Sequence, residues 1–373
     1  MSSTVLITGA SGALGPSLLA ELLRSDGVGR VVVLLRAGPR WDRRVHDLHA
    51  RLSSSDRLVC VAGDVVESDL GLGVGERDRL MRQVDVVIHA AANTRFSTPA
   101  LELHHVNVEG TRHALAFAQR CSRLDQFLFV STACVAGTNT GVVVERLEDE
   151  PIAFVNPYER TKWEAERLAA AADLPIRIAR LSTCIGDERT GRVDRFGAIH
   201  QALRWLIRGL VPMVPAVESS RVDLIATGVA ARWIARAVEQ PVNALEVCHV
   251  AAGQRAIPLR DLVECTVAHL RDTVPGWRSG QIEAPLIVDP DTFRMFERSV
   301  AQSGDLLFAR VLEAAGSFFP ALLYPKVYQT VQAEALWGGP LPLSDWRSTV
   351  RHVIDFGCGR QWRRPRAAEV SHV

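Results

Sequence analysis

Val5-Leu6-Ile7-Thr8-Gly9-Ala10-Ser11-Gly12-Ala13-Leu14-Gly15 decides the fold. Ser3 to Thr8 carries a short apolar run of the kind that makes a buried strand. Just after the glycines, Leu18, Leu19, Leu22 and Leu23 recur at helical spacing. Strand, glycine turn and helix follow one another without a gap. Gly9 permits the tight turn, Gly12 lets backbone approach a pyrophosphate, and Gly15 lets helix and strand pack closely; the helix N-terminus faces the negative charge. The stretch is therefore read as a dinucleotide site, with Thr8, Gly9, Ser11, Gly12, Ala13, Leu14 and Gly15 as its contacts.

The next strand, Arg30 to Leu35, ends in Arg36, where an NAD-specific enzyme usually places Asp or Glu on the ribose hydroxyls. A cation there suits the extra phosphate of NADP, and Arg40, Arg43 and Arg44 stand close enough in sequence to join it. The expected cofactor is NADP(H). Asp64 and Val65 follow the strand Leu58 to Ala62, and Asp64 is placed at the adenine amine. The strand ending in His89 runs into Ala90-Ala91-Ala92, whose small side chains let backbone lie against a cofactor. His89 reads as a packed strand-end histidine without a chemical role.

Buried-strand candidates at Val5 to Thr8, Val31 to Leu35, Leu58 to Ala62, Val84 to Ala90, Gln126 to Val130 and Ile176 to Arg180 alternate with helical patterns. The fold class expected is α/β: a Rossmann-type, doubly wound parallel sheet with sites at the carboxyl ends of its strands. Past residue 180 longer helical stretches dominate, which predicts a smaller, mostly helical C-terminal substrate lobe. The expected division is 1–180 for the NADP-binding domain, 181–360 for a lobe partly interleaved with it, and 361–373 for a flexible tail. With 373 residues, 47% of them hydrophobic, the chain can bury a sizeable core. A net charge of +1 gives no reason to expect a nucleic acid partner. Seven widely spaced cysteines, none in Cys-x-x-Cys, fit reduced thiols in a cytoplasmic protein and indicate no metal site. Neither a signal peptide nor a bilayer-spanning run is visible.

The cations supply the chemistry. Of 43 basic residues only Lys162 and Lys326 are lysine, and the chain has 3 Tyr. A lysine in so arginine-rich a background suggests a task for a compact ammonium that a planar guanidinium does not perform. Lys162 lies four residues after Tyr158, which stacks phenol and ammonium on one helix face. An ammonium within about 4–6 Å is expected to lower the phenol's pKa from its usual value near 10. Ser131 and Thr132 end the strand Phe127 to Val130 and put hydroxyls where a carbonyl substrate would meet a nicotinamide.

Taken in order, these residues resemble the extended short-chain dehydrogenase/reductase superfamily. Its most similar branch contains the fatty acyl-CoA reductases and the thioester reductase domains of peptide synthetases and carboxylic acid reductases. The resemblance rests on the glycine turn, Leu35-Arg36, Gly63-Asp64, His89-Ala90-Ala91 with Asn93-Thr94-Arg95-Phe96, and Asn107-Val108-x-Gly110-Thr111. It continues through Val130-Ser131-Thr132-Ala133, Tyr158-x-x-x-Lys162 and Arg180-Leu181-Ser182 leading to Gly186, and covers roughly residues 1 to 230. It implies a catalytic group of Thr132, Tyr158 and Lys162, with Asn107 supporting Lys162 directly or through water and Lys162 also on the nicotinamide ribose. Substrate contacts are assigned to Asn93, Phe96, Ser131 and Cys134, the last standing where the branch commonly carries an aromatic. Thr227-Gly228 replaces an aspartate usual before the following helix.

The function expected is reduction of an acyl thioester, carried on CoA or a carrier protein, to aldehyde or alcohol. An NADP-dependent ketone or alcohol oxidoreductase acting on a bulky small molecule uses the same residues, and a non-catalytic NADP-sensing protein is the alternative of another class. The apolar runs Leu306 to Leu312 and Phe318 to Tyr324 suit a pocket lid, a homodimer surface, a peripheral membrane contact, or plain lobe core.

Overall fold

The computed structural model describes residues 2–362 apart from 40, 53–54, 148, 307–308, 310–311, 313–317 and 361. Five strands open the fold: β1 (Ser3–Thr8), β2 (Val28–Leu35), β3 (Leu58–Ala62), β4 (Val86–His89) and β5 (Gln126–Thr132). With Ile176–Leu181 and Glu246–Val250 they form one seven-stranded sheet. Its order is Glu246–Val250, Ile176–Leu181, β5, β4, β1, β2, β3, and every pairing is parallel. Strand order runs outward from β1 in both directions, so the crevice opens where β1 and β4 diverge above their carboxyl ends.

Alternation along the strands feeds two cores. Val5, Ile7, Val31, Val33 and Leu35 face one layer, which contains the helix α1 (Gly15–Arg24) and the helix Thr227–Val238. Leu6, Val32 and Leu34 face the other, packed by Ala114, Leu115, Phe117 and Ala118 of the helix Gly110–Gln119 and by Ala165 and Ala169 of the helix Pro157–Ala170. Both faces are covered, which is why the strands read as continuous apolar runs.

Residues beyond 180 return to this sheet. Glu246–Val250 adds its last strand beside Ile176–Leu181, and Thr227–Val238 packs on α1. The remainder forms a separate core around Ile199, Leu203, Leu270, Trp277, Val353 and Trp362. The reading of 361–373 as a tail fails at Trp362, which is 1% exposed against Phe196 and His200; its indole is too large an apolar surface to leave in water beside such a core. Residues 363–373 lie outside the described residues. Phe319 and Leu322 belong to the lobe core, while Leu306 is exposed; 307–308 and 310–311 fall outside the described residues. Among the described residues no helix is long and apolar enough to cross a membrane.

Two glycines of the opening turn are required sterically. Gly9 has φ +79°, and a Cβ there would sit 2.5 Å from the Ala90 carbonyl carbon; a Cβ on Gly15 would lie 1.9 Å from the Ala10 oxygen. Gly15→Ala is therefore expected to destabilise the fold by about 3 kcal/mol, read as a lower urea midpoint, with NADPH affinity falling in parallel. An unchanged midpoint would show that the turn relaxes freely.

Candidate active site

The crevice is a cavity of about 1000 Å³ whose walls include Gly9, Ser11, Gly12, Arg36, Asp64, Val65 and Ala90 to Asn93. The Gly12 N–H donates to Gly9 O at 2.9 Å and closes the turn, while Ser11 stands exposed on its rim. Ala13 and Leu14 complete the entry to α1, and Leu14 packs onto the core beneath. The bare backbone of the turn, the three alanines opposite and the following helix fit a dinucleotide, so the residues present suit that cofactor.

Thr8 lies elsewhere than expected. It is fully buried, and its hydroxyl is committed inside the protein: Thr8 Oγ1 is 2.9 Å from His89 Nδ1 and accepts from the Ala91 N–H at 3.2 Å. On the other side His89 Nε2 is 3.1 Å from Thr111 Oγ1, which donates to Asn107 O at 2.6 Å. That last bond makes Thr111 an acceptor toward His89, so the imidazole carries its proton on Nε2 and accepts from Thr8. Burial, with Lys162 adding to it, pushes the His89 pKa down to about 3. The ring is a neutral strut between the glycine turn and the helix that bears Asn107.

At the adenosine end Arg36 Nε lies 2.9 Å from Asp64 Oδ2, and Arg43 and Arg44 line the same wall. Arg40 lies outside the described residues. The Arg36 side chain is 62% exposed, so its ion pair with Asp64 holds it weakly. Val65, 6% exposed, accepts at its carbonyl from His113 Nδ1 at 3.0 Å. Arg195, from the C-terminal lobe, also reaches this cavity, a neighbour that no sequence pattern indicated.

Where the cavity wall ends at Asn93 to Arg95, Phe96 begins the second half of the site. Its ring lies 5.3 Å from that of Tyr158, which is 8% exposed. Tyr158 opens the helix Pro157–Ala170, capped by Asn156, whose Oδ1 accepts from the Glu159 N–H at 3.0 Å. Thr132 Oγ1 accepts from the Cys134 N–H at 3.2 Å. The expected lowering of the phenol's pKa is not found. Burial raises it, Cys134 adds to the rise, and Thr132 alone among the strongest influences pulls it down. Lys162 is not among those influences, and its ammonium is turned inward: Nζ donates to Val130 O at 2.9 Å and sits 4.0 Å from the Phe129 ring centroid. Burial brings the Lys162 pKa down to about 7 against the opposing pull of Glu166.

Asn107 is also placed differently. Rather than bonding Lys162, it accepts from the Asn93 N–H at 2.8 Å and donates to Asn93 O at 3.1 Å and to Thr161 Oγ1 at 3.0 Å. It lies in a π-helical turn, His105–Glu109, a geometry that swings its amide out to join the cavity wall to the Tyr158 helix. Ser131, expected at the substrate, faces the other way because neighbouring strand residues alternate. It donates to Glu166 Oε1 at 2.6 Å, and Arg180 binds the same carboxylate from Nε and, at 2.7 Å, from Nη2. This buried network was not legible from spacing. Cys134 borders a smaller cavity, and burial pushes its thiol up to about 11.

The family model described as male sterility protein, an NAD-binding domain, matches residues 7–234. Among curated relatives, the chain is 28% identical over 65% of its length to glycine betaine reductase ATRR of Emericella nidulans, covering 21% of that protein. It is 29% identical over 44% of its length to fatty acyl-CoA reductase 1 of Xenopus laevis, covering 34% of that protein. The chain spans about a fifth or less of the length of the first curated relatives it matches. Among solved structures, the terminal R domain from the myxalamid PKS-NRPS pathway superposes with a TM-score of 0.79 at 23% identity, covering 97% of this chain and 92% of that one. With a family match over most of the sheet, a parallel Rossmann architecture and a tyrosine and lysine in register on one helix, the chain belongs to the male sterility protein family of NAD-binding domains, within the extended short-chain dehydrogenase/reductases.

Proposed function

We propose that this protein is an NADPH-dependent reductase of acyl thioesters, giving an aldehyde or alcohol. One observation carries the reading: a buried phenol packs against Phe96, which follows directly on the Asn93 to Arg95 wall of a dinucleotide-shaped crevice. Relatives whose names include fatty acyl-CoA reductase and glycine betaine reductase support the reaction class, and the reductase-domain likeness supports a carrier-bound substrate.

When bound, NADPH supplies the hydride. The glycine turn takes the pyrophosphate on backbone N–H groups, and Ala90 to Ala92 let the cofactor lie close. Arg36, exposed and paired only with the half-buried Asp64, would hold the 2′-phosphate together with Arg43 and Arg44. Lys162 has two N–H donors beyond the one given to Val130 O, and they suit the ribose hydroxyls. Tyr158 gives its proton to the substrate oxygen as charge develops there, and Thr132 bonds the same oxygen.

The test is NADPH consumption with acyl-CoA and acyl-pantetheine thioesters beside a panel of ketones. Free thiol released in step with NADPH loss is expected, and turnover of ketones alone would replace the thioester reading with a ketoreductase one. NADPH is expected to bind more tightly than NADH, and Arg36→Ala to narrow the gap by about ten- to a hundredfold, through loss of one charge-assisted phosphate contact of about 1.5–3 kcal/mol. Equal affinities in the parent protein would defeat the NADP assignment.

A further inference from the structure

The second lysine lies beside the same centre. Tyr324, Lys326 and Tyr328 alternate along one stretch of chain, so they share a face, and all three line a cavity of about 90 Å³ together with Cys134, Glu159 and Asp223. Cys134 follows Thr132 by two residues and Glu159 is next to Tyr158. Two of the chain's 3 tyrosines and the second of its two lysines thereby line one cavity. The face is held firmly: Lys326–Tyr328 pairs in parallel with the short strand Gly141–Val143, and Gln329 N–H donates to Val143 O at 2.8 Å.

The walls carry both signs of charge. Lys326 Nζ donates to Tyr324 O at 2.9 Å, leaving two N–H donors for the cavity. Asp223 accepts from the N–H groups of Ala252 and Gly253 at 2.7 and 2.8 Å, and Glu159 accepts from Val155 N–H at 2.9 Å, yet each carboxylate keeps lone pairs free. Lys326 and Glu159 face one another across this cavity, close enough to attract. Burial raises the pKa of both carboxyls, Glu159 to about 7, and lowers that of Lys326, while Glu159 and Lys326 each oppose the other's shift. An alkyl group here would leave these polar atoms desolvated without partners, a net cation would meet Lys326 and Arg221, and a net anion would meet Glu159 and Asp223. A neutral group that both donates and accepts satisfies every wall.

We infer that the Tyr324, Lys326 and Tyr328 face, with Glu159 and Asp223, is an acyl subsite that selects chains bearing a neutral hydroxyl or amide a few bonds from the reacting carbonyl. The inference rests on the thioester reductase reading for its substrate. Lys326 donates to the oxygen of that group, and a carboxylate accepts its O–H or N–H.

The experiment compares pantetheine thioesters of similar size: butyryl, 3-hydroxybutyryl, N-acetylglycyl, 4-aminobutyryl and succinyl. At least one of the two neutral polar chains is expected to exceed butyryl tenfold in kcat/KM, with the charged chains below both. Lys326→Met is expected to bring that ratio to within threefold of one. A parent protein that prefers butyryl, or a charged chain, overturns the subsite, and so does a folded Lys326→Met variant that keeps the preference. If no thioester releases thiol, the reductase reading falls by itself. Calorimetric titration of the NADP⁺-loaded protein with butane-1,3-diol and butan-1-ol then decides the subsite: tighter diol binding that Lys326→Met removes supports it, and equal or absent binding refutes it.

Discussion

Tyr158→Phe is expected to reduce NADPH-linked turnover by about 10³-fold, within the range for loss of a positioned proton donor, while NADPH affinity stays within about twofold. The substitution removes one oxygen from a ring whose packing against Phe96 is unaffected, so the pocket keeps its shape. Burial raises the phenol's pKa above its usual value, so Tyr158 is protonated throughout the neutral range and acts as an acid. Losing it leaves the developing oxyanion with Thr132 alone. The sign of the shift also predicts that no rise in activity between pH 6 and 9 traces to Tyr158 ionising. Fluorescence titration of NADPH and a stopped assay on the same preparation check both parts. A variant with near-parent turnover would remove Tyr158 from the chemistry, and one that had lost NADPH binding would make its role structural.

The crevice was legible because its determinants are local. A positive φ at Gly9, a helix packed against the Gly15 backbone and alternating apolar strands each leave a mark within a few residues of sequence. The direction of Ser131 was misread because a strand end of two hydroxyls gives no sign of which faces the sheet's far side; that depends on Glu166 and Arg180, which belong to other elements. The direct partners of Asn107, Asn93 and Thr161, were not legible for a related reason, since the π-helical turn that redirects its amide has no composition of its own. The ammonium of Lys162 was aimed at Tyr158 on helical spacing alone, whereas Val130 O and the Phe129 ring, both on β5, draw it inward. Lys326 was within reach of the census that singled out Lys162. Its placement required knowing that Gly141–Val143 binds the strand after the lobe's apolar turn, a pairing across more than 180 residues that periodicity does not encode.

The buried pair behind the catalytic helix sets the largest expected change in stability. Arg180 is 3% and Glu166 1% exposed, and the carboxylate takes bonds from Ser131 and from two nitrogens of the guanidinium, whose Nη1 meets His249 Nε2 at 3.3 Å. Since Arg180 donates there, His249 carries its proton on Nδ1 and gives it to Gln329 O at 2.8 Å, which carries the network to the strand bearing Lys326 and Tyr328. Glu166→Ala leaves a guanidinium buried without its counter-ion, so a loss of about 3–5 kcal/mol is expected. The milder Glu166→Gln keeps volume and one acceptor but removes the charge that opposes the fall of the Lys162 pKa, already at about 7. In that variant Lys162 is neutral over more of the range above pH 6, so NADPH affinity is expected to fall at pH 7.5 and recover as acid recharges the amine. Urea midpoints of both variants and NADPH titrations of Glu166→Gln at pH 6 and 7.5 measure the two effects. Stability within about 1 kcal/mol of the parent for Glu166→Ala would mean that water reaches Arg180, and a pH-independent affinity for Glu166→Gln would separate the Lys162 charge from cofactor binding.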